Sequence, residues 1–274
     1  MRILVLGSDG QIGAPLVKYM KRRGHAVMEF DNYSFPPHDL RVPHILDNLL
    51  HEIDFVFFLA FDVGGAVYLK YYQDTYEFMS NNMKIMVNTF ESLHKFNTPF
   101  IFASSQMSEM THSTYGILKL IGERYTHELN GRVVRFWNVY GPERDTDKAH
   151  VITHFISMAM RGKIRILTTG EERRQFLYVT DCCDCLDILM NTPTEKKSFD
   201  VSSFEWLRII DLAEIIASQC NCEVTAGTIT DDVQRSKLNE PNEDILQYWH
   251  PVTNIRTGIN FCIDERYNCD NSSL

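Results

Sequence analysis

Short apolar runs alternate with stretches of helical spacing along the first half of the chain. Ile3–Leu6, Ala26–Phe30, Phe55–Ala60, Pro99–Ser104 and Val133–Trp137 are predicted strands. Ile12–Arg23, Val42–Glu52, Glu77–Phe96 and Tyr115–Leu129 repeat apolar positions at the helical period. Phe55–Ala60 does not alternate apolar with polar residues, as expected of a parallel strand covered by helices on both faces. The βαβ rhythm predicts an α/β fold of the Rossmann type, a doubly wound parallel sheet, with Gly24 placed to end the first helix. After Tyr140-Gly141-Pro142 the rhythm changes. A helix near Val151–Arg161, a strand at Ile164–Leu167, the basic pair Arg173-Arg174, a strand at Phe199–Val201 and an amphipathic helix at Ile209–Ser218 follow. The expected organisation is a larger domain over 1–142 whose sheet is completed by later segments, a smaller C-terminal α/β domain mainly within 143–268, and a loose tail over 269–274. The polar stretch Thr228–Glu243 is expected at the surface.

With 274 residues, 44% of them hydrophobic, the chain can bury a full core. Its formal charge of -9 opposes broad attraction to nucleic acid or an anionic membrane, so neither is an expected partner and a small molecule is. No apolar run approaches the roughly 20 residues that span a bilayer, and no small-residue cleavage site follows the N-terminus; the expected location is cytoplasmic. All seven cysteines lie from Cys182 onward, an odd count without a disulfide framework, which fits a reducing compartment. Cys182 and Cys185 form a lone CxxC with no second ligand pair, so no metal site is expected.

Gly7-Ser8-Asp9-Gly10-Gln11-Ile12-Gly13 follows the first strand and opens the first helix. In that setting glycines let the backbone approach a pyrophosphate, and amides at the helix N-terminus face it with the positive end of the helix dipole behind them. Gly7, Gly10, Gln11, Ile12 and Gly13 are thus candidate cofactor residues. Asp31, at the end of the second strand, can accept hydrogen bonds from ribose hydroxyls and repel a 2′-phosphate, which favours NAD over NADP. Arg22, Arg23 and Arg41 nearby leave NADP open.

Tyr115 and Lys119 lie four residues apart, on one face of a predicted helix, and follow Ser104-Ser105 at the end of a strand, where open α/β sheets bind ligands. A free phenol titrates near 10 and is a poor base at neutral pH, so a neighbouring ammonium and a cationic nicotinamide must favour its phenolate. The chemistry these groups suit is removal of a hydroxyl proton by Tyr115 as NAD takes a hydride from the same carbon, with Ser105 bonded to the oxygen that becomes a carbonyl.

With these motifs the chain resembles the extended short-chain dehydrogenase/reductase family, specifically its sugar-nucleotide epimerases and dehydratases. The likeness runs nearly end to end and includes Asp39-Leu40, Leu59-Ala60, Asn82 with Thr89 and Glu91, Arg135–Pro142, Arg174–Asp181, Phe199–Ser203 and Trp249–Pro251. The resemblance implies that Asp39, Leu40, Leu59 and Ala60 contact the cofactor, and that Asn138 and Arg174 bind the diphosphate of a nucleotide-diphosphate sugar. Asp62-Val63-Gly64-Gly65 is similar to a loop that touches substrate in GDP-mannose 3,5-epimerase and GDP-fucose synthase, which implies substrate contact for Gly64 and Gly65. It further implies a homodimer formed by helices Glu77–Phe96 and Tyr115–Leu129.

The chain departs from the family between Ser105 and Tyr115, where only nine residues replace a longer substrate-facing loop; the site is expected to be more open or its loop supplied differently. Gln106-Met107 stands where 4,6-dehydratases carry an Asp-Glu pair, which disfavours that activity. Glu109 or His112 are the local groups able to replace a missing acid or base. The leading expectation is an NAD-dependent epimerase of a nucleotide-diphosphate sugar. A net oxidoreductase, decarboxylase or dehydratase on a similar substrate, and an inactive NAD-binding regulatory protein, are the alternatives.

Overall fold

The computed structural model describes residues 1–33, 38–143, 145, 147–230 and 239–271, with side chains through 266. The elements run β1 (Arg2–Leu6), α1 (Gly13–Arg22), β2 (Ala26–Phe30), α2 (Asp47–Leu50), β3 (Phe55–Phe58), α3 (Ala66–Tyr72), α4 (Tyr76–Phe96), β4 (Phe100–Ser105), α5 (Thr114–Glu128), β5 (Gly131–Phe136), β6 (Val139–Tyr140) and α6 (Val151–Ala159). They continue with β7 (Lys163–Arg165), β8 (Arg173–Gln175), β9 (Leu177–Tyr178), α7 (Val179–Asn191), β10 (Ser198–Val201), β11 (Trp206–Arg208), α8 (Ile209–Cys220), β12 (Glu223–Thr225) and α9 (Ile255–Asn271).

Six strands form one parallel sheet in the order β10-β5-β4-β3-β1-β2. Every residue of β3 and β4 is buried, because helices cover both faces. The chain order reverses between β1 and β3, and the crevice at the carboxyl ends of the strands on either side of such a switch is where this architecture holds ligands. β10 pairs with β5 and α7 packs on α1, so segments beyond 142 complete the sheet and one of its helical layers. A single apolar cluster joins Ile3, Val5 and Phe57 to Phe155, Leu186, Leu212 and Ile259, and a second lies under α4 and α5. The outer part of the second half is built from two-stranded pairings, β11 with β8 and β12 with β7, beside α6 and α8.

Two expectations change. The helix expected over Val42–Glu52 shrinks to α2, because Pro43 cannot donate a backbone hydrogen bond and His44 has φ 62. A loose tail from 269 gives way to α9, which reaches Asn271 and is seated on the core through Ile259, Cys262 and Ile263; residues 272–274 lie outside the described residues. Of Thr228–Glu243, residues 231–238 likewise lie outside, while Ile229 bridges to Thr168 and the Asn239 side chain donates to the Gln106 carbonyl at 2.7 Å. Cys182, Cys183 and Cys185 are free thiols buried in α7, and burial pushes each of them up. Among the described residues no group of three or more His, Cys, Asp or Glu is arranged to hold a metal, and no helix is long and apolar enough to cross a membrane.

Candidate active site

A cleft of about 1310 Å³ opens along the carboxyl ends of β1–β5 and is closed on its far side by residues of the second half. The glycine loop forms its floor. Gly7 has φ +86, and a Cβ there would come within 2.8 Å of the Ala60 amide; Leu59 and Ala60 therefore lie against the loop. A Cβ on Gly13 would run into the Gly7 carbonyl, so α1 begins directly on the turn with the Gln11, Ile12 and Gly13 amides at its positive end. Asp31 pins this loop: Oδ2 accepts from the Asp9 amide at 3.0 Å, and Oδ1 accepts from the Tyr33 amide at 3.0 Å. It is a turn residue and a cleft residue at once. Leu40 is buried, and Asp39 is engaged by the Arg41 side chain, whose hydrogen bonds hold its carboxyl below the usual carboxylate range.

These residues fit a dinucleotide. The backbone approach requires glycine at 7 and 13, the anion-binding helix end is free of acidic residues in its first turn, and Gln11 Nε2 and His38 Nδ1 are buried at the cleft with no partner among the described residues.

The reactive side chains converge at the end of β4. Ser105 closes the strand and accepts from the Met107 amide at 3.1 Å, which folds Gln106–Glu109 into one tight turn. Ser113 caps α5 by accepting from the Gly116 amide, and it also donates to Gln73. This cap sets the rotation of α5, so that Tyr115 and Lys119 face β4. Burial pushes the Tyr115 phenol up to about 12, while its hydrogen bond with Ser105 works the other way. Lys119 is 3% exposed and donates to the Ala103 carbonyl at 2.6 Å. Burial brings it down to about 7, opposed by the Glu123 carboxylate one turn further along. Glu123 is itself gripped by Arg135 at 2.8 and 2.7 Å and by Ser104 at 2.6 Å, which holds its carboxyl below the usual range in spite of burial. In this dry pocket the phenol keeps its proton, and the lysine is poised near neutrality.

The opposite wall belongs to the second half. A Cβ on Gly65 would run into the Ala149 carbonyl, and the Gly65 amide donates to the Lys148 carbonyl at 2.9 Å. Gly64 and Gly65 thus bring the two halves into contact. Asp62 reinforces the contact: it accepts from Lys148 Nζ and from the Tyr68 hydroxyl, each at 2.8 Å, while Asn82 bonds its amide and its carbonyl. His150 Nδ1 meets Glu143 Oε1 at 2.6 Å. Asn138 takes a left-handed conformation, φ 39, which asparagine tolerates, and donates to the Gln175 carbonyl at 3.1 Å beside Arg174. Arg174 is buried on β8 and lines the cleft.

The candidates read from sequence therefore meet in one cleft, with two exceptions. Glu109 faces Arg135 at 3.5 Å and His112 is exposed; neither lines the cleft, because the short loop folds into the tight turn and turns both outward. Gln106 and Met107 line it instead. Sequence reasoning missed Phe61, Asp62 with Lys148, Glu143 with His150, and Glu123. Asp62 was visible only as the start of the Gly64-Gly65 loop, and Glu123 left a signal in continuing the Tyr115–Lys119 face by four residues.

Residues 3–202 match the NAD dependent epimerase/dehydratase family. Over 94% of its length the chain is 23% identical to UDP-glucuronic acid decarboxylase 3 of Arabidopsis thaliana, covering 87% of that protein. It is 24% identical to the uncharacterized UDP-glucose epimerase YtcB of Bacillus subtilis, with 94% and 96% covered. The fold superposes on UDP-glucose 4-epimerase of Thermotoga maritima, crystallised with UDP-glucose, with a TM-score of 0.83 at 20% identity, covering 98% of this chain and 99% of that one. With a match over most of its length and the glycine cradle, Ser105, Tyr115 and Lys119 in one cleft, the chain belongs to the NAD-dependent epimerase/dehydratase family.

Proposed function

We propose that this protein is an epimerase that acts on a nucleotide-diphosphate sugar. The observation that carries the reading is the meeting, in one cleft, of the glycine cradle, the Ser105–Tyr115–Lys119 group and the Asn138–Arg174 wall. NAD, when bound, supplies a hydride acceptor that can return the hydride to the same carbon. Tyr115, protonated in the free cleft, must first release its proton to solvent and become a phenolate, favoured by Lys119 and a cationic nicotinamide. It then takes the proton of the sugar hydroxyl, while the Ser105 hydroxyl turns from the phenol to donate to the same oxygen as it becomes a carbonyl. Burial keeps water from that oxygen, and Lys119 adds positive character beside the phenolate. Arg174 pairs with the diphosphate through a planar guanidinium, and Asn138 orients it. UDP-sugar epimerases and decarboxylases among the relatives support this substrate class.

The protein acts as a homodimer in this reading. α4 and α5 pack side by side, and Met79, Met83, Ile117 and Tyr125 on them are exposed apolar residues. A cytoplasmic location accords with a cysteine pattern that has no disulfide framework. The test is to incubate the purified protein with UDP-glucose, UDP-galactose and UDP-glucuronic acid and follow the sugar ring by NMR. Inversion at one carbon without net NADH is the expected result; loss of carbon dioxide would establish the decarboxylase alternative, and absence of any turnover with bound NAD would favour a regulatory protein.

A further inference from the structure

Lys119 lines the cleft and yet is almost wholly shielded from it. The Phe61 ring centroid stands 3.7 Å from Nζ, closer than Phe102 at 5.1 Å or Tyr115 at 5.8 Å. Phe61 is partly exposed in the cleft and meets the Tyr115 ring edge-on, with centroids 5.7 Å apart. One ring thus touches both reactive side chains. A cation on an aromatic face is stabilised without water, but an N–H turned to that face cannot donate to a ligand hydroxyl.

The backbone on either side of Phe61 is held. Leu59 donates to the Leu6 carbonyl at 2.9 Å, Ala60 is packed against Gly7, and Asn82, fully buried, bonds both the amide and the carbonyl of Asp62. Uncovering Lys119 is therefore a matter of rotating one side chain rather than moving the loop.

We propose that Phe61 is an affinity-determining residue of the cofactor site: its ring caps Lys119 in the free protein and must turn aside before a hydroxyl of the bound dinucleotide can reach Nζ. The proposal rests on Lys119 being part of the cofactor site. The capped arrangement competes with binding, and apparent affinity falls by the fraction of molecules in which the ring is out of the way.

Two measurements on Phe61→Ala and Phe61→Leu test it, after dinucleotide carried through purification has been removed. The first is labelling of Lys119 by a small amine reagent, mapped by mass spectrometry against the exposed Lys84. The second is NAD affinity by titration calorimetry. In the parent, Lys119 should label far more slowly than Lys84; in Phe61→Ala its labelling should rise about tenfold and NAD should bind roughly three- to thirtyfold more tightly, the range an ordinary cation–π contact spans. Phe61→Leu keeps the bulk but removes the aromatic face, and should fall between the two; it carries the test if the alanine variant folds poorly. Equal Lys119 labelling in parent and variants, or unchanged or weaker NAD binding by folded variants, would overturn the cap while leaving the cofactor reading intact. Absence of NAD binding in parent and variants alike would overturn both.

Discussion

On the wall built by β4 and α5, Tyr115 and Lys119 are 8% and 3% exposed and have given up water. On the wall built by Glu143, Asp145 and residues 147–150, Lys148 and His150 each keep 37% of the side chain in solvent and lean on Asp62 and Glu143. The first wall shifts its ionisable groups by desolvation, toward a protonated phenol and a lysine near neutrality. The second pairs Lys148 with Asp62 across the gap between the two halves and His150 with Glu143 within its own segment. Chemistry that must change protonation state belongs on the dry wall, where a new charge in the cleft is felt strongly; holding a polar ligand belongs on the wet one, where charge is cheap to keep.

Breaking the dry wall at its reacting atom should have the largest effect. Tyr115→Phe removes one hydroxyl, and turnover on whichever UDP-sugar the NMR assay shows to react is expected to fall about 10²–10⁴-fold, with melting temperature and NAD affinity near those of the parent. Wild-type turnover by the folded variant would move the chemistry away from this wall.

Arg174→Ala should act on the other wall only. Loss of a charge-assisted contact of roughly 1.5–3 kcal/mol is expected to weaken UDP binding by about ten- to a hundredfold, measured by calorimetry beside an NAD titration that should change little. Equal loss of both ligands would mean that Arg174 supports the cleft as a whole.

The dry wall has a cost that can be measured through pH. Lys119 titrates near 7 in the folded chain and at its ordinary 10.5 when unfolded. Below pH 7 both states carry the proton and burial of the charge opposes folding in full. Between 7 and 10.5 the unfolded chain binds more protons than the folded one, so stability rises with pH. Lys119→Met should therefore stabilise the protein, by about 1–3 kcal/mol near pH 7, and denaturation across pH should show the gain shrinking toward pH 10.5. A pH-independent difference would show that burial does not move Lys119 away from the pKa it has in the unfolded chain.

Lys148→Ala should have the smallest effect. The pair with Asp62 is partly solvated, so its loss is expected to cost at most ~1 kcal/mol of stability and to alter substrate affinity a few-fold, with both effects fading as salt is raised. A change as large as that of Arg174→Ala would place Lys148 directly on the ligand.

The parts legible in the sequence are those whose physics is local. The glycine loop announces itself because three glycines between a strand and a helix have one mechanical use, and Tyr115 and Lys119 because four residues make one helical turn. β1, β3 and β4 could be read from apolar runs because strands buried on both faces have no polar side to show. Tertiary structure alone decided the rest. Phe61 lies on Lys119, 58 positions away in the chain, only because β3 and β4 are neighbours in the sheet. Asp62 and Lys148 find each other across 86 positions because Gly65 lets the two halves touch. Glu109 and His112 turn outward because nine residues after Ser105 leave room only for a tight turn. The protonation of Tyr115 and Lys119 was likewise beyond the sequence, since it depends on how much water the surrounding rings exclude, and that is a property of packing in three dimensions.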